Sequence, residues 1–175
     1  MKKTIINILL TTSLISGCST FQLNSKEEII IDCFNKACKI EYDQELLGED
    51  YWKSPLETIK DKKGDCEDKA FYLEYLLKRN RIECKTIIGA VNYLELKNRK
   101  NGPIELHAWV EYKYNDAVYV LDPTSGKKYN KHDSPLNYVD LSILKKLEKE
   151  KEIILDYEKL EEKIKKYYKD NFYLF

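Results

Sequence analysis

Three short runs carry side chains that can do chemistry together: Gly64-Asp65-Cys66-Glu67-Asp68, Leu106-His107-Ala108-Trp109-Val110 and Val120-Leu121-Asp122-Pro123-Thr124. Cys66 is placed to open a helix, where free amides and the positive end of the helix dipole favour a thiolate over a thiol. Gly64, just before it, lets the chain turn sharply. An imidazole beside a thiol takes its proton, and a carboxylate on the far ring nitrogen fixes the tautomer and the direction of the ring. Acyl-transfer sites use that arrangement of nucleophile, base and orienter. The oxyanion of such a site would meet the backbone amide of Cys66 and one upstream donor, for which Gln44 and Trp52 are the candidates. Taken singly, each residue has a plainer reading: a cysteine at a helix start is usually structural, and a strand histidine is usually packed or half exposed.

The elements that must position these groups can be read from periodicity and punctuation. Apolar residues recur at Cys66, Ala70, Leu73 and Leu77, flanked by Phe71 and Leu76, which predicts a helix over Cys66 to Arg79 with a wide buried face. Lys26 to Lys36 reads as a helix and Lys39 to Tyr42 as extended chain. Ser54-Pro55-Leu56-Glu57 opens a short helix with serine as its cap and proline at its first position. Strands are expected at Cys84 to Leu96, Glu105 to Tyr114 and Ala117 to Leu121, the last two joined as a hairpin through Tyr114-Asn115-Asp116. That hairpin carries position 107 to a place opposite about 121 to 125, so imidazole and carboxylate can meet. Asn98 to Pro103 is a polar loop. Beyond Gly126 the chain becomes polar, and Leu141 to Tyr168 then turns helical, with Leu144, Leu147, Ile154, Leu160 and Ile164 as its inner stripe beneath a solvated Lys/Glu face. Helices followed by antiparallel strands make an α+β domain.

The motifs Gly-Asp-Cys-Glu-Asp, His-Ala-Trp-Val-Glu and Leu-Asp-Pro-Thr, in that order, resemble the transglutaminase-like branch of the papain-like cysteine enzymes, over about residues 40 to 126. Tyr42-Asp43-Gln44-Glu45-Leu46, Glu49-Asp50-Tyr51-Trp52 and Ser54-Pro55-Leu56-Glu57 are similar, more narrowly, to the bacterial transglutaminase-like cysteine proteinase family. His107-Ala108-Trp109 and Asp122-Pro123-Thr124 read more like the general transglutaminase-like core. The resemblance implies a nucleophile at the N-terminus of a central helix packed on an antiparallel sheet, with Cys66 as nucleophile, His107 as base and Asp122 as orienter. It also implies an envelope protease, in a family some of whose members release large surface adhesins and use calcium held by acidic residues beside the nucleophile. Asp65 and Glu67 or Asp68 would be the ligands here. The plainer reading of these acids is an ordinary helix start, in which they favour the dipole and face water.

Length and charge agree with one domain of this kind. The chain has 175 residues, 43% of them hydrophobic, and 30 basic residues balance 30 acidic ones, so nothing in the balance draws it onto nucleic acid. Residues 1–17 are laid out as an export signal, with Lys2 and Lys3 ahead of an apolar run that ends Leu14-Ile15-Ser16-Gly17-Cys18. That ending resembles a bacterial lipobox, in which cleavage frees the cysteine for lipidation. The expected order is therefore signal peptide 1–17, spacer 18–25 after lipidated Cys18, catalytic domain 26–126 and Lys/Glu-rich helical extension 127–175 packed on the same domain.

In an oxidising envelope Cys33 and Cys38 form either a local disulfide or two free thiols, and Cys84 reads as a small buried hydrophobe. A metal module built on Cys33, Cys38 and His107 lacks a four-ligand spacing. The expected function is a lipid-anchored, envelope-facing thiol hydrolase acting on a protein or peptide, with no cofactor needed for the chemistry. The alternatives are transglutaminase-type amide transfer to an amine and an inactive peptide-binding lipoprotein. Cys18→Ser is expected to move the protein from the membrane fraction to the soluble one, and retention on membranes in high salt would sink the lipid reading.

Overall fold

Ser25 and Ser54 start their helices by the same device. Each hydroxyl accepts the amide three residues on, from Glu28 at 3.2 Å and from Glu57 at 3.3 Å, and each of those glutamates reaches back to the serine amide. α1 (Lys26–Cys38) buries Ile30, Cys33, Phe34 and Ala37, and α2 (Pro55–Asp61) has its proline where a missing amide costs nothing. The computed structural model describes residues 25–44, 51–91, 106–133, 138–140 and 157–172. The signal segment, Cys18, Glu45 to Asp50, the end of the first expected strand, the polar loop and residues 141–156 lie outside the described residues. No helix among the described residues is long and apolar enough to cross a membrane.

The third helix, α3 (Cys66–Arg79), is the centre of the molecule and spans the residues that the periodicity predicts. Ala70, Phe71, Leu73, Glu74 and Leu77 are fully buried on it. β1 (Glu41–Tyr42) pairs in parallel with β2 (Lys63–Gly64), which leads directly into α3. Against α3 lies a five-stranded antiparallel sheet in the order β6-β5-β4-β3-β7, from β3 (Cys84–Val91), β4 (Leu106–Tyr114), β5 (Ala117–Asp122), β6 (Lys127–Asn130) and β7 (Tyr138–Asp140). Asn115 and Asp116 make the β4–β5 turn at φ 48 and 62, the left-handed pair a tight hairpin needs. Ile88, Ala108, Val110 and Leu121 face α3 and α1. Ile87, Trp109 and Val120 form a second, smaller cluster with Val91 and Tyr129. The class is α+β, as expected.

Two expectations need correcting. Residues 127–130 and 138–140 are edge strands of the main sheet rather than part of a helical extension. Both are short, and Lys127-Lys128 gives β6 the charged pattern of an edge strand, with no apolar alternation to betray it. The C-terminal helix, α4 (Tyr157–Phe172), does pack on the same core, through Leu160, Ile164, Tyr167 and Tyr168. Gly64, for its part, is required by close approach rather than by a sharp turn. It pairs within β2, and a Cβ there would lie 2.6 Å from Asp68 Cβ and 2.7 Å from Asp68 Oδ2. Gly64→Ala is therefore expected to lower stability by ~1–3 kcal/mol, the usual cost of overpacking, as read from denaturant melts. A neutral result would mean that Asp68 can move aside freely.

Candidate active site

β5 stops pairing with β4 at Leu121, opposite Val110, and the chain then turns away at Asp122. Ala108 lies beyond that last pair, packed in one core cluster with Cys66, and its backbone pulls the Cys66 thiol down. The N-terminus of α3 thus meets the edge of β4 one residue from His107. His107 and Asp122 are close diagonally across the hairpin, and His107 Nε2 lies 3.0 Å from Asp122 Oδ2. The other oxygen of Asp122 accepts the amides of Thr124 at 3.0 Å and Ser125 at 3.1 Å, and Gly126 N–H closes the turn on the Asp122 carbonyl. The carboxylate can scarcely rotate, so the ring it faces is oriented as well. Trp109 lies beside the imidazole, ring centroids 6.4 Å apart, and its indole donates to buried Glu111, which also takes Lys131 Nζ.

Charge at the two ends of this arrangement differs in sign of effect. Burial alone would push the Asp122 carboxyl up, but His107 and the Ser125 amide outweigh it and hold the group below the ordinary carboxylate value. Cys66 goes the other way. Burial first, then the Glu67 carboxylate and the more distant Asp65, push its thiol far up, and only the Ala108 amide opposes them. The thiol donates to Glu67 Oε2 at 2.8 Å, so the proton is held by an acid.

The three acids around Cys66 have separate tasks. Asp65 caps α3, accepting the Asp68 amide at 3.2 Å. Asp68 is 1% exposed; its Oδ1 accepts the Lys53 amide at 2.7 Å and its Oδ2 faces Lys53 Nζ at 3.8 Å. Burial and then the Asp65 charge push its carboxyl up to about 7. Among the described residues no group of three or more His, Cys, Asp or Glu stands together as a metal site, which also removes the Cys33, Cys38 and His107 module. Cys33 and Cys38 are free thiols, and Cys84 is a partly buried member of the core. Of the oxyanion candidates, exposed Gln44 follows β1, and the parallel β1–β2 register carries it level with Cys66 two positions on. The Trp52 indole is built into the core against Phe71 and Tyr167.

A model of the transglutaminase-like superfamily core matches residues 14–123, which takes in Cys66, His107 and Asp122. The chain belongs to the transglutaminase-like superfamily. A search of curated proteins finds no match. Among solved structures the superfamily core aligns with calcium-bound LapG of Legionella pneumophila at 21% identity and TM-score 0.54, over 66% of this chain and 64% of that one. EGTA-treated LapG of the same organism aligns at 22% identity and TM-score 0.52, over 66% and 62%. The chain thus spans just under two thirds of LapG, and at this identity the likeness is one of fold.

Sequence reasoning could not see the Ala108 amide, a backbone group, or the Lys53–Asp68 link. The Trp109–Glu111 contact was signalled only by their alternation on one strand. Because the Asp122 carboxyl is depressed in the fold, its contribution to stability is fully present above the unfolded value of 3.8 and is lost as pH falls through the folded value. The stability margin of wild type over Asp122→Asn is expected to be constant above about pH 5 and to shrink below about pH 4. A margin independent of pH would mean that the charge of Asp122 adds nothing.

Proposed function

We propose that the protein is an envelope-facing thiol hydrolase, held to a membrane through a lipid on Cys18, that cleaves a peptide or amide bond in a protein or peptide. One observation carries this reading: His107 is paired through Nε2 with Asp122 at 3.0 Å, and its neighbour on β4, Ala108, packs in one core cluster with Cys66. That pairing leaves Nδ1 as the nitrogen for the thiol proton. Cys66 passes its proton to His107 and its sulfur attacks the substrate carbonyl carbon. The oxyanion is met by the Cys66 amide and a donor from Gln44. On collapse the C–N bond breaks, and the amine leaves with the proton from His107. Water then gives a proton to His107 as it attacks the thioester carbonyl, and the departing sulfur takes the proton back.

The acids beside the thiol oppose the first of these steps, since they hold its proton. Asp65 and Glu67 are hard oxygen donors on either side of Cys66, and in this reading they are the residues that would hold calcium; Asp68, committed to Lys53, would not. Bound there, the cation would offset their charge and free the thiol proton from Glu67. The calcium-bound and EGTA-treated forms of LapG support calcium as the cation.

The test is an envelope-peptide mixture in which new termini are counted by mass spectrometry. Wild type is expected to generate them, and Cys66→Ser to lose more than about a thousandfold in rate with an unchanged melting temperature. Cleavage by Cys66→Ser would remove the nucleophile. Incorporation of a labelled amine into a glutamine donor faster than hydrolysis would make amide transfer the function. Absence of both would favour a peptide-binding lipoprotein. Activity that ignores EGTA, and ignores added calcium against magnesium, would leave Asp65 and Glu67 as a cap and a local charge only.

A further inference from the structure

α4 reaches the site from the far end of the chain. The Tyr167 hydroxyl donates to the Lys53 carbonyl at 2.7 Å, a contact 114 residues apart in sequence. Its ring stacks on Phe71 of α3, centroids 3.9 Å apart at 22°, and meets Trp52 edge-on at 6.0 Å, while Lys163 Nζ stands 4.2 Å over the Trp52 ring. The Lys53 peptide is thereby held on both sides, its carbonyl by Tyr167 and its amide by Asp68 Oδ1. Asp68 lies two residues beyond Cys66 in the first turn of α3, and its side chain fills the space over Gly64. The neighbouring Tyr168 uses its hydroxyl differently. It donates at 2.7 Å to Glu74 Oε2, which also accepts the Thr86 amide at 3.0 Å, so it ties the middle of α3 to β3, while its ring meets Phe71 edge-on at 5.9 Å.

We propose that Tyr167 is a positioning residue of the thiol site: through Lys53 and Asp68 its hydroxyl fixes the turn that presents Cys66 to His107. The inference rests on the thiol-enzyme reading above. Without the hydroxyl, the Lys53 peptide keeps one anchor instead of two, Asp68 loses the fixed partner that aims it, and the first turn of α3 gains freedom at the residue that must meet the imidazole. The ring of Tyr167 can stay stacked on Phe71 throughout, so core packing and site geometry are separable in one substitution. Small errors of placement at a reacting atom cost rate steeply even where they cost little stability.

The probe is iodoacetamide on the full chain at neutral pH with calcium added, so that the charge of Asp65 and Glu67 is offset, with the alkylation rate of each cysteine followed separately by mass spectrometry. In wild type Cys66 is expected to react faster than Cys33 and Cys84, which lie in the same core. Tyr167→Phe is expected to slow Cys66 roughly tenfold, with the rates of Cys33 and Cys84 unchanged. Tyr168→Phe is expected to lower the melting temperature and leave the ratio of Cys66 to the other cysteines as it was. A Cys66 rate unchanged in Tyr167→Phe, or one that moves together with Cys33 and Cys84, would make Tyr167 a packing residue and overturn the proposal. A wild-type Cys66 no faster than Cys33 would instead remove the nucleophile reading, and the proposal with it.

Discussion

A carboxylate taken out of water calls for partners, and the architecture of the site depends on how Asp68 finds them: Oδ1 takes the Lys53 amide, while Oδ2 is buried without a hydrogen bond and has the Lys53 ammonium at 3.8 Å. Its partners come from outside its own helix: the Lys53 amide and ammonium from the segment before α2, and the space left by Gly64 in β2. Breaking a buried charge from its partners costs several kcal/mol, roughly 3–5 where the charge stays ionised. With its carboxyl pushed up to about 7, Asp68 is poised between the neutral form that burial prefers and the charged form that Lys53 prefers. Two chain segments, the one before α2 and β2, are thus brought onto the first turn of α3, whatever the rest of the core does. Phe71, Trp52 and the face of α4 then pack around a point already fixed by polar bonds.

The same turn shows a conflict between building a helix and arming a thiol. Asp65 is a good cap, and such caps stabilise a helix by about 1 kcal/mol. Glu67 in the first turn also suits the dipole. Both acids nevertheless raise the thiol that lies between them, so the residues that make α3 begin at Cys66 also hold Cys66 in its unreactive form. Asp122 sits in the opposite situation. Two backbone amides and His107 surround it, and burial is outweighed. One end of the site is preset and the other waits on a change in local charge.

What could be read in the amino-acid sequence follows the strength of local signals. The spacing Cys66, Ala70, Leu73 and Leu77 predicts α3 to the residue, and Asn115-Asp116 predicts the hairpin that brings His107 to Asp122. β6 and β7 escape because a strand of three or four residues with lysines at its edge has no period to detect. Gly64 is misread as a turn because closeness to Asp68, four residues on, is a property of packing and not of backbone preference. Tyr167 escapes because it lies in a Lys/Glu-rich stretch where the charged face dominates the pattern, and its partner Lys53 is 114 residues away. The Ala108 amide has no side-chain signature at all.

That separation has a kinetic meaning. Bringing chain ends together costs entropy that grows with the logarithm of the loop, and contacts of long range reward the chain only after that cost is met. The α1, α3 and hairpin contacts all close shorter loops than the 114 residues bridged by Tyr167 and Lys53. A chain that emerges N-terminus first has Cys66, His107 and Asp122 in hand well before residues 157–172 exist. The aromatic seat formed by Trp52 and Phe71 therefore stays uncovered until residues 157–172 have been made and α4 closes it.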